Sequence, residues 1–176
     1  YTYYAKVRVQ TKTDANGNVH TYKYENGFSR PTQYVKPDGA IIYYAYNEAG
    51  QVKEERDAYG VTTYGHNIMG HLTYLQDAEG NITKYEYDSR ANLTRVTLPM
   101  ESGKSGEEGA GPRYVYDEWT HLTQMVTAEF GVWTYENDYL GNIKRVKNPK
   151  ETYDANAQGT RIEYDENHHR TKTIYA

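Results

Sequence analysis

An Asp or Asn at positions 47, 57, 67, 77 and 88 is followed three residues later by Gly50, Gly60, Gly70 and Gly80, with Ala91 in the fifth slot. This spacing constrains the fold more than any other feature of the chain. An Asx at the first place and a Gly at the fourth is the pattern of a type I turn whose last residue sits at positive φ, the usual short hairpin connection. The chain therefore reverses about every ten residues. The stretches between reversals, about six residues long and rich in Val, Ile, Thr and Tyr, have the length and composition of short strands.

Every second turn carries a further mark. Tyr85, Tyr87 and Asp88 precede Leu93. Tyr44, Tyr46 and Asn47 precede Gly50 and Val52, and Tyr114, Tyr116 and Asp117 precede Leu122. Later copies run through Tyr135, Asp138, Gly141 and Ile143, and through Tyr164 and Asp165 with His168 in the glycine slot. The repeat is thus two strands and two turns, about 21 residues, and about seven copies give about 14 strands. Residues 1–13 read as one strand. Asp14–Gly17 is the first turn, Asn26-Gly27 fits a tight hairpin, and Pro37-Asp38-Gly39 a proline-led turn. The rhythm breaks at 99–112, a Gly-rich flexible insertion, and more mildly at 148–159. Ala91, Thr120 and His168 stand where positive φ is expected, which is unfavourable for a non-Gly residue by about 1 kcal/mol.

The composition rules out an ordinary core. Among 176 residues there are 21 Tyr, while Leu, Ile, Val and Phe together number 26. Disordered chains are also poor in aliphatics, but they carry high net charge and few aromatics, and this chain has 14% aromatic residues and a net charge of −4. A tyrosine can bury its ring while its hydroxyl stays wet or hydrogen-bonded, which suits a thin sheet with little interior. Fourteen strands span roughly 65 Å, more than a twisted open sheet sustains without curling. Bulges at the glycines of both edges would supply that curvature. Tyr22 and Tyr24, Tyr44 and Tyr46, Tyr85 and Tyr87, and Tyr114 and Tyr116 each alternate onto one face, which predicts a tyrosine ladder across the sheet.

The tyrosine–aspartate pattern, in phase over nearly the whole chain, resembles the YD (Rhs) repeat of bacterial Rhs polymorphic toxins, the cocoon-forming subunits of insecticidal toxin complexes, and teneurins. The resemblance implies an all-β ribbon of antiparallel hairpins that spirals into a hollow shell. The chain then reads as a single array over residues 1–176 of a longer bacterial protein, secreted or at the cell surface. Its partners would be flanking repeats and an enclosed C-terminal toxin or effector domain of the same polypeptide, with a secretion apparatus or cell-surface glycans as further candidates. The working residues would be structural: Tyr44, Tyr46, Gly50, Gly60, Gly70, Gly80, Tyr85, Tyr87, Asp88, Tyr114, Tyr116, Asp117, Asp138, Gly141, Tyr164 and Asp165. The alternative is an adhesion or carbohydrate-binding module that uses the aromatic face, with Trp119 and Trp133 beside the tyrosines.

Little in the sequence points to enzyme chemistry. Glu54-Glu55 and Glu107-Glu108 are adjacent pairs without an acid–base arrangement. Asp14, Asn16 and Asn18 mimic the start of a calcium loop, but Val19 stands at its glycine and the closing acid is missing. His66, His71 and His168-His169 lack a third ligand at a fixed offset, and there is no Cys, so no metal or cofactor is expected. His66 reads as a variant in the second tyrosine slot of its repeat. The pI near 5.9 provides no basic footprint for nucleic acid, and no apolar run is long enough to span a membrane as a helix. A motif for autoproteolysis of the DPxG kind does not occur.

Overall fold

The computed structural model describes residues 2–4, 8–25, 29–99 and 111–175. It is an all-β chain of antiparallel hairpins whose strands pair in sequence order, and its contacts gather into two units, Tyr1–Ile82 and Thr83–Ala176. The first unit holds β1 (Thr2–Tyr4), β2 (Arg8–Thr13), β3 (Val19–Lys23), β4 (Gln33–Val35), β5 (Ile41–Tyr46), β6 (Val52–Asp57), β7 (Gly60–His66) and β8 (Leu72–Gln76). The stretch 1–13, expected to be one strand, is two: Tyr3 pairs with Val9 and Tyr4 with Arg8. That adds a hairpin to the seven expected copies. The expected Asn26-Gly27 turn lies outside the described residues.

The second unit runs from Thr83, the second residue of β9 (Ile82–Tyr87), through β10 (Leu93–Thr97), β11 (Arg113–Tyr116), β12 (Leu122–Val126), β13 (Val132–Asn137), β14 (Ile143–Lys147), the short helix α1 (Pro149–Thr152) and β15 (Thr160–Tyr164) to β16 (Arg170–Ile174). Around the Gly-rich insertion the ladder closes again, with Arg95 opposite Arg113 and the Val96 N–H donating to the Pro112 carbonyl at 2.9 Å. Residues 100–110 of that insertion, with Glu107-Glu108, lie outside the described residues. The milder insertion folds into α1 because Asn148-Pro-Lys-Glu151 is a capping box with proline at its start. The Asn148 side chain accepts from the Lys150 and Glu151 N–H groups, and the Glu151 carboxylate accepts from the Asn148 N–H. Thr152 then pins the helix by donating its hydroxyl to the Val132 carbonyl at 2.9 Å.

No apolar side chain among the described residues is fully buried. Several strands instead have a sheltered and an open face. In β9, Thr83, Tyr85 and Tyr87 are half-buried while Ile82, Lys84 and Glu86 are exposed, and β11 divides Tyr114 and Tyr116 from Arg113 and Val115 in the same way. The expected tyrosine ladder is not what fills the sheltered face. Tyr64, Tyr85, Tyr114 and Tyr135 stand opposite Leu75, Val96, Met125 and Val146, and Tyr44 stands opposite Glu55. Aromatic-on-aliphatic pairs hold the face, and tyrosine stacks on tyrosine at Tyr22 and Tyr34, 5.1 Å between centroids.

The bulges also differ from expectation. Six occur in hairpins closed by the tyrosine–aspartate turns and their variants, where Lys53, Thr73, Thr94, Thr123, Lys144 and Thr171 are extra residues in the returning strand, and the β1–β2 pair carries another register shift. The pairs β2–β3, β4–β5, β6–β7 and β12–β13, joined at the opposite edge, keep a regular register. A bulge opens a gap in the ladder, and threonine can fill it. The hydroxyls of Thr94, Thr123 and Thr171 donate to the facing carbonyls of Glu86, Val115 and Glu163 at 3.1–3.2 Å.

Candidate functional site in the tyrosine–aspartate turns

Asp88 shows how such a turn is made. Its N–H donates to the Asn92 carbonyl at 3.0 Å and its carbonyl accepts from Ala91 at 3.1 Å. One carboxylate oxygen accepts the N–H groups of Arg90 and Asn92, and the other accepts the Asn92 side-chain amide at 2.9 Å. Asp14, Asp77 and Asp138 repeat the arrangement with Asn18, Asn81 and Asn142. At Asp117 and Asp165 the fifth residue is His121 or His169, whose Nδ1 lies 3.2 or 3.5 Å from the carboxylate. The fifth position is therefore as much a part of the motif as the glycine. Its recurrence as Asn18, Asn81, Asn92 and Asn142 was the signal that the sequence reading overlooked.

These bonds favour the ionised carboxylates. The Asn side chain at the fifth place, then its backbone N–H, holds the Asp77 and Asp88 carboxyls below the ordinary range near 3.9. A depressed folded pKa contributes stability that is present above the unfolded value and lost as pH falls through the folded one. The thermal midpoint should therefore drop steeply below about pH 4. Asp77→Asn together with Asp88→Asn should flatten that drop, and an acid limb identical to wild type would count against the assignment.

The tyrosine beside each turn performs a different task. Tyr116 donates its hydroxyl to the Leu93 carbonyl and Tyr164 to the Ile143 carbonyl, both at 3.0 Å. Leu93 and Ile143 open the returning strands of the preceding hairpins. Asn137, in the same slot, reaches the Leu122 carbonyl through its amide at 2.8 Å. In the first unit Tyr46 donates to Pro31 at 2.7 Å and Tyr24 to Val9 at 2.8 Å. Tyr114, two residues before Tyr116, stands opposite Met125 instead. Tyr116→Phe should thus cost about 1 kcal/mol in urea unfolding, and Tyr114→Phe much less; equal costs would refute the division of labour. Burial, followed by the nearby Glu55 carboxylate, pushes the Tyr44 phenol up to about 12.

Some glycines in the fourth slot meet the previous hairpin. A Cβ at Gly70 would lie 3.1 Å from the Gln51 amide, which donates to the Gly70 carbonyl at 2.7 Å. A Cβ at Gly50 would lie 3.1 Å from the Arg30 guanidinium, and one at Gly141 2.8 Å from the His121 ring. Gly80 closes its turn on Asp77 at 3.0 Å. Gly60 departs from the expected turn: it is a strand residue paired with Asp57 across the two-residue loop Ala58-Tyr59, at φ 145°, with Ala78 packed against it. Ala91, Thr120 and His168 keep the regular turn at φ 63–70°. Phe130 joins them at φ 62°, because the turn there is Thr127–Phe130 and Gly131 is its fifth residue.

The remaining candidates resolve into structural parts. Asp14, Asn16 and Asn18 form a turn cage. Glu54 pairs with Arg56 at 3.0 Å. His66 occupies a tyrosine slot opposite Leu72, with a shielded Nδ1 that has no hydrogen-bond partner among the described residues. Trp119 stands 67% exposed at a turn tip, whereas Trp133 lies in β13 opposite Met125. An open hollow of about 280 Å³ lies near the turns at 57–60 and 77–80 and is lined by Ile42, Thr62 and several carboxylates. No helix among the described residues is long and apolar enough to cross a membrane, which leaves strand-type spans unaddressed.

Hairpins paired in sequence order, with no apolar side chain fully buried among the described residues, define the class of this fold: an all-β sheet of antiparallel hairpin repeats. The chain is similar over 92% of its length to a crystal structure of TcdB2–TccC3–Cdc42 (17% identity, TM-score 0.67) and to one of TcdB2–TccC3–TEV (18% identity, TM-score 0.66). Over 94% it is similar to the Photorhabdus luminescens Tc holotoxin pore (14% identity, TM-score 0.60). It spans only 9–11% of those chains. No protein-family model and no curated protein matches it.

Proposed function

We propose that the chain is a structural segment of an Rhs/YD-repeat shell, one array across residues 1–176 of a longer secreted polypeptide, that encloses and helps deliver a C-terminal toxin or effector domain. The observation that carries this reading is the shared fold, over more than nine-tenths of the chain, with segments of Tc toxin structures. The one-layer sheet adds support. A sheet with no buried apolar core contributes a wall rather than a pocket, and its sheltered tyrosine face gains cover when the wall curls. In this reading no residue is catalytic, and Tyr46, Tyr116, Tyr164, Asp88, Asp117, Asp138 and Asp165 are the working parts. The test is limited proteolysis of the whole parent polypeptide. Its C-terminal domain should resist cleavage while the wall is intact and become sensitive once the wall unfolds. Equal sensitivity in both states would overturn the proposal.

A second reading, a carbohydrate-binding module, draws on Trp119 and Tyr139, which stand 67% and 85% exposed at turn tips of the second unit. Tryptophan fluorescence that shifts on a glycan panel and no longer shifts in Trp119→Ala would favour it.

A further inference from the structure

Tyr24, Tyr46, Tyr116 and Tyr164 donate their hydroxyls to backbone carbonyls, which cannot take a proton. Tyr34 differs. Its hydroxyl lies 2.7 Å from Nδ1 of His20, within the reach required for direct proton transfer. The Nε2 of the same ring lies 3.7 Å from an Asp14 carboxylate oxygen. That carboxylate favours the tautomer with its proton on Nε2, leaving Nδ1 as the acceptor for Tyr34, and it balances the positive charge of an imidazolium. Lys12, directly across the strand pair from His20, is the opposing charge. Tyr22 stands opposite Tyr34 in the β3–β4 pair, its ring stacked at 5.1 Å and 15°. His20 also stacks on Tyr34, at 5.9 Å and 8°.

Removing one electron from a phenol makes its hydroxyl strongly acidic, so oxidation is easiest where a base can accept the proton in the same step. From this geometry we propose that Tyr34 is a redox-active tyrosine whose oxidation ends in a covalent dityrosine link to Tyr22. The co-reactant is a one-electron oxidant, such as a peroxide-fed haem peroxidase or a photo-oxidised metal complex. It removes one electron from each phenol. The Tyr34 proton passes to His20 Nδ1 and the Tyr22 proton to water. The two phenoxyl radicals then pair, forming one bond between ring carbons ortho to the hydroxyls. Each of those carbons releases its hydrogen, each oxygen regains one, and in sum two electrons and two protons leave. The link would close the connection between β3 and β4, which is longer than the tight turns elsewhere, and would restrict the unfolded chain.

The test is brief illumination of the folded protein with tris(bipyridine)ruthenium and persulfate, followed by proteolysis and mass spectrometry. The expected dominant product joins the peptides carrying Tyr22 and Tyr34, lighter than their sum by two hydrogen atoms, and is absent from protein oxidised in urea. Tyr34→Phe keeps the ring and should abolish the product. His20→Gln, with its fold checked by circular dichroism, should cut the yield at least about tenfold through loss of the proton acceptor. A link distributed evenly among the other tyrosines, or an undiminished Tyr22–Tyr34 yield in folded His20→Gln, would overturn the proposal.

Discussion

Gly141→Ala is expected to destabilise the protein clearly more than Gly17→Ala, and a second change, His121→Ala, is expected to remove the difference. Both glycines hold the left-handed backbone at φ 84–86°. Alanine is strained there by about 1 kcal/mol in either turn. Around Gly17 a Cβ meets nothing within 4 Å, whereas at Gly141 it falls 2.8 Å from the His121 ring of the preceding turn. His121 cannot simply swing aside, because its Nδ1 lies 3.2 Å from Asp117 and its backbone N–H donates to the same side chain. A double-mutant cycle in urea should give a coupling of about 1 kcal/mol between positions 121 and 141. A coupling near zero would mean that the turns do not stack as described.

Replacing Ala91, Thr120, Phe130 and His168 together by glycine should stabilise the chain. All four are exposed and hold φ between 62° and 70°, so little packing is lost and the left-handed strain is released. Each change should contribute about 1 kcal/mol, less the entropy glycine gains in the unfolded chain. Distinct turns should add nearly independently, to roughly 2–3 kcal/mol in total. Phe130→Gly is the most informative single variant, since that residue is 74% exposed. A lower denaturation midpoint in the fourfold variant would show that these side chains hold contacts worth more than the strain.

Much of this fold was legible because a hairpin is a local object. The Asx and glycine positions located the turns at 47, 67, 77, 88, 117, 138 and 165, and the strands between them followed from composition. What went unread depends on contacts between hairpins. The tyrosine ladder failed because the returning strands β6, β10 and β12 carry no tyrosine, and alternation along one strand says nothing about which residue stands opposite. Gly60 fits the same four-residue pattern as Gly70, yet Asp57 closes a two-residue loop there. Phe130 went unread because its turn opens with Thr127 rather than an Asx. The different roles of Tyr114, which stands opposite Met125, and Tyr116, whose hydroxyl reaches the previous hairpin, are invisible in any single copy, since the two are the same residue type. The α1 capping box at Asn148–Glu151 was readable in principle, but the broken rhythm around it drew the reading toward a loop.

The measurement that bears most directly on the proposed shell is electron microscopy of the whole parent polypeptide that contains this stretch. A closed hollow particle, with density for a further domain inside and the hairpins of residues 1–176 forming part of its wall, is the predicted result. A solid compact domain, or hairpins standing free as an open ribbon with both faces in solvent, would contradict it.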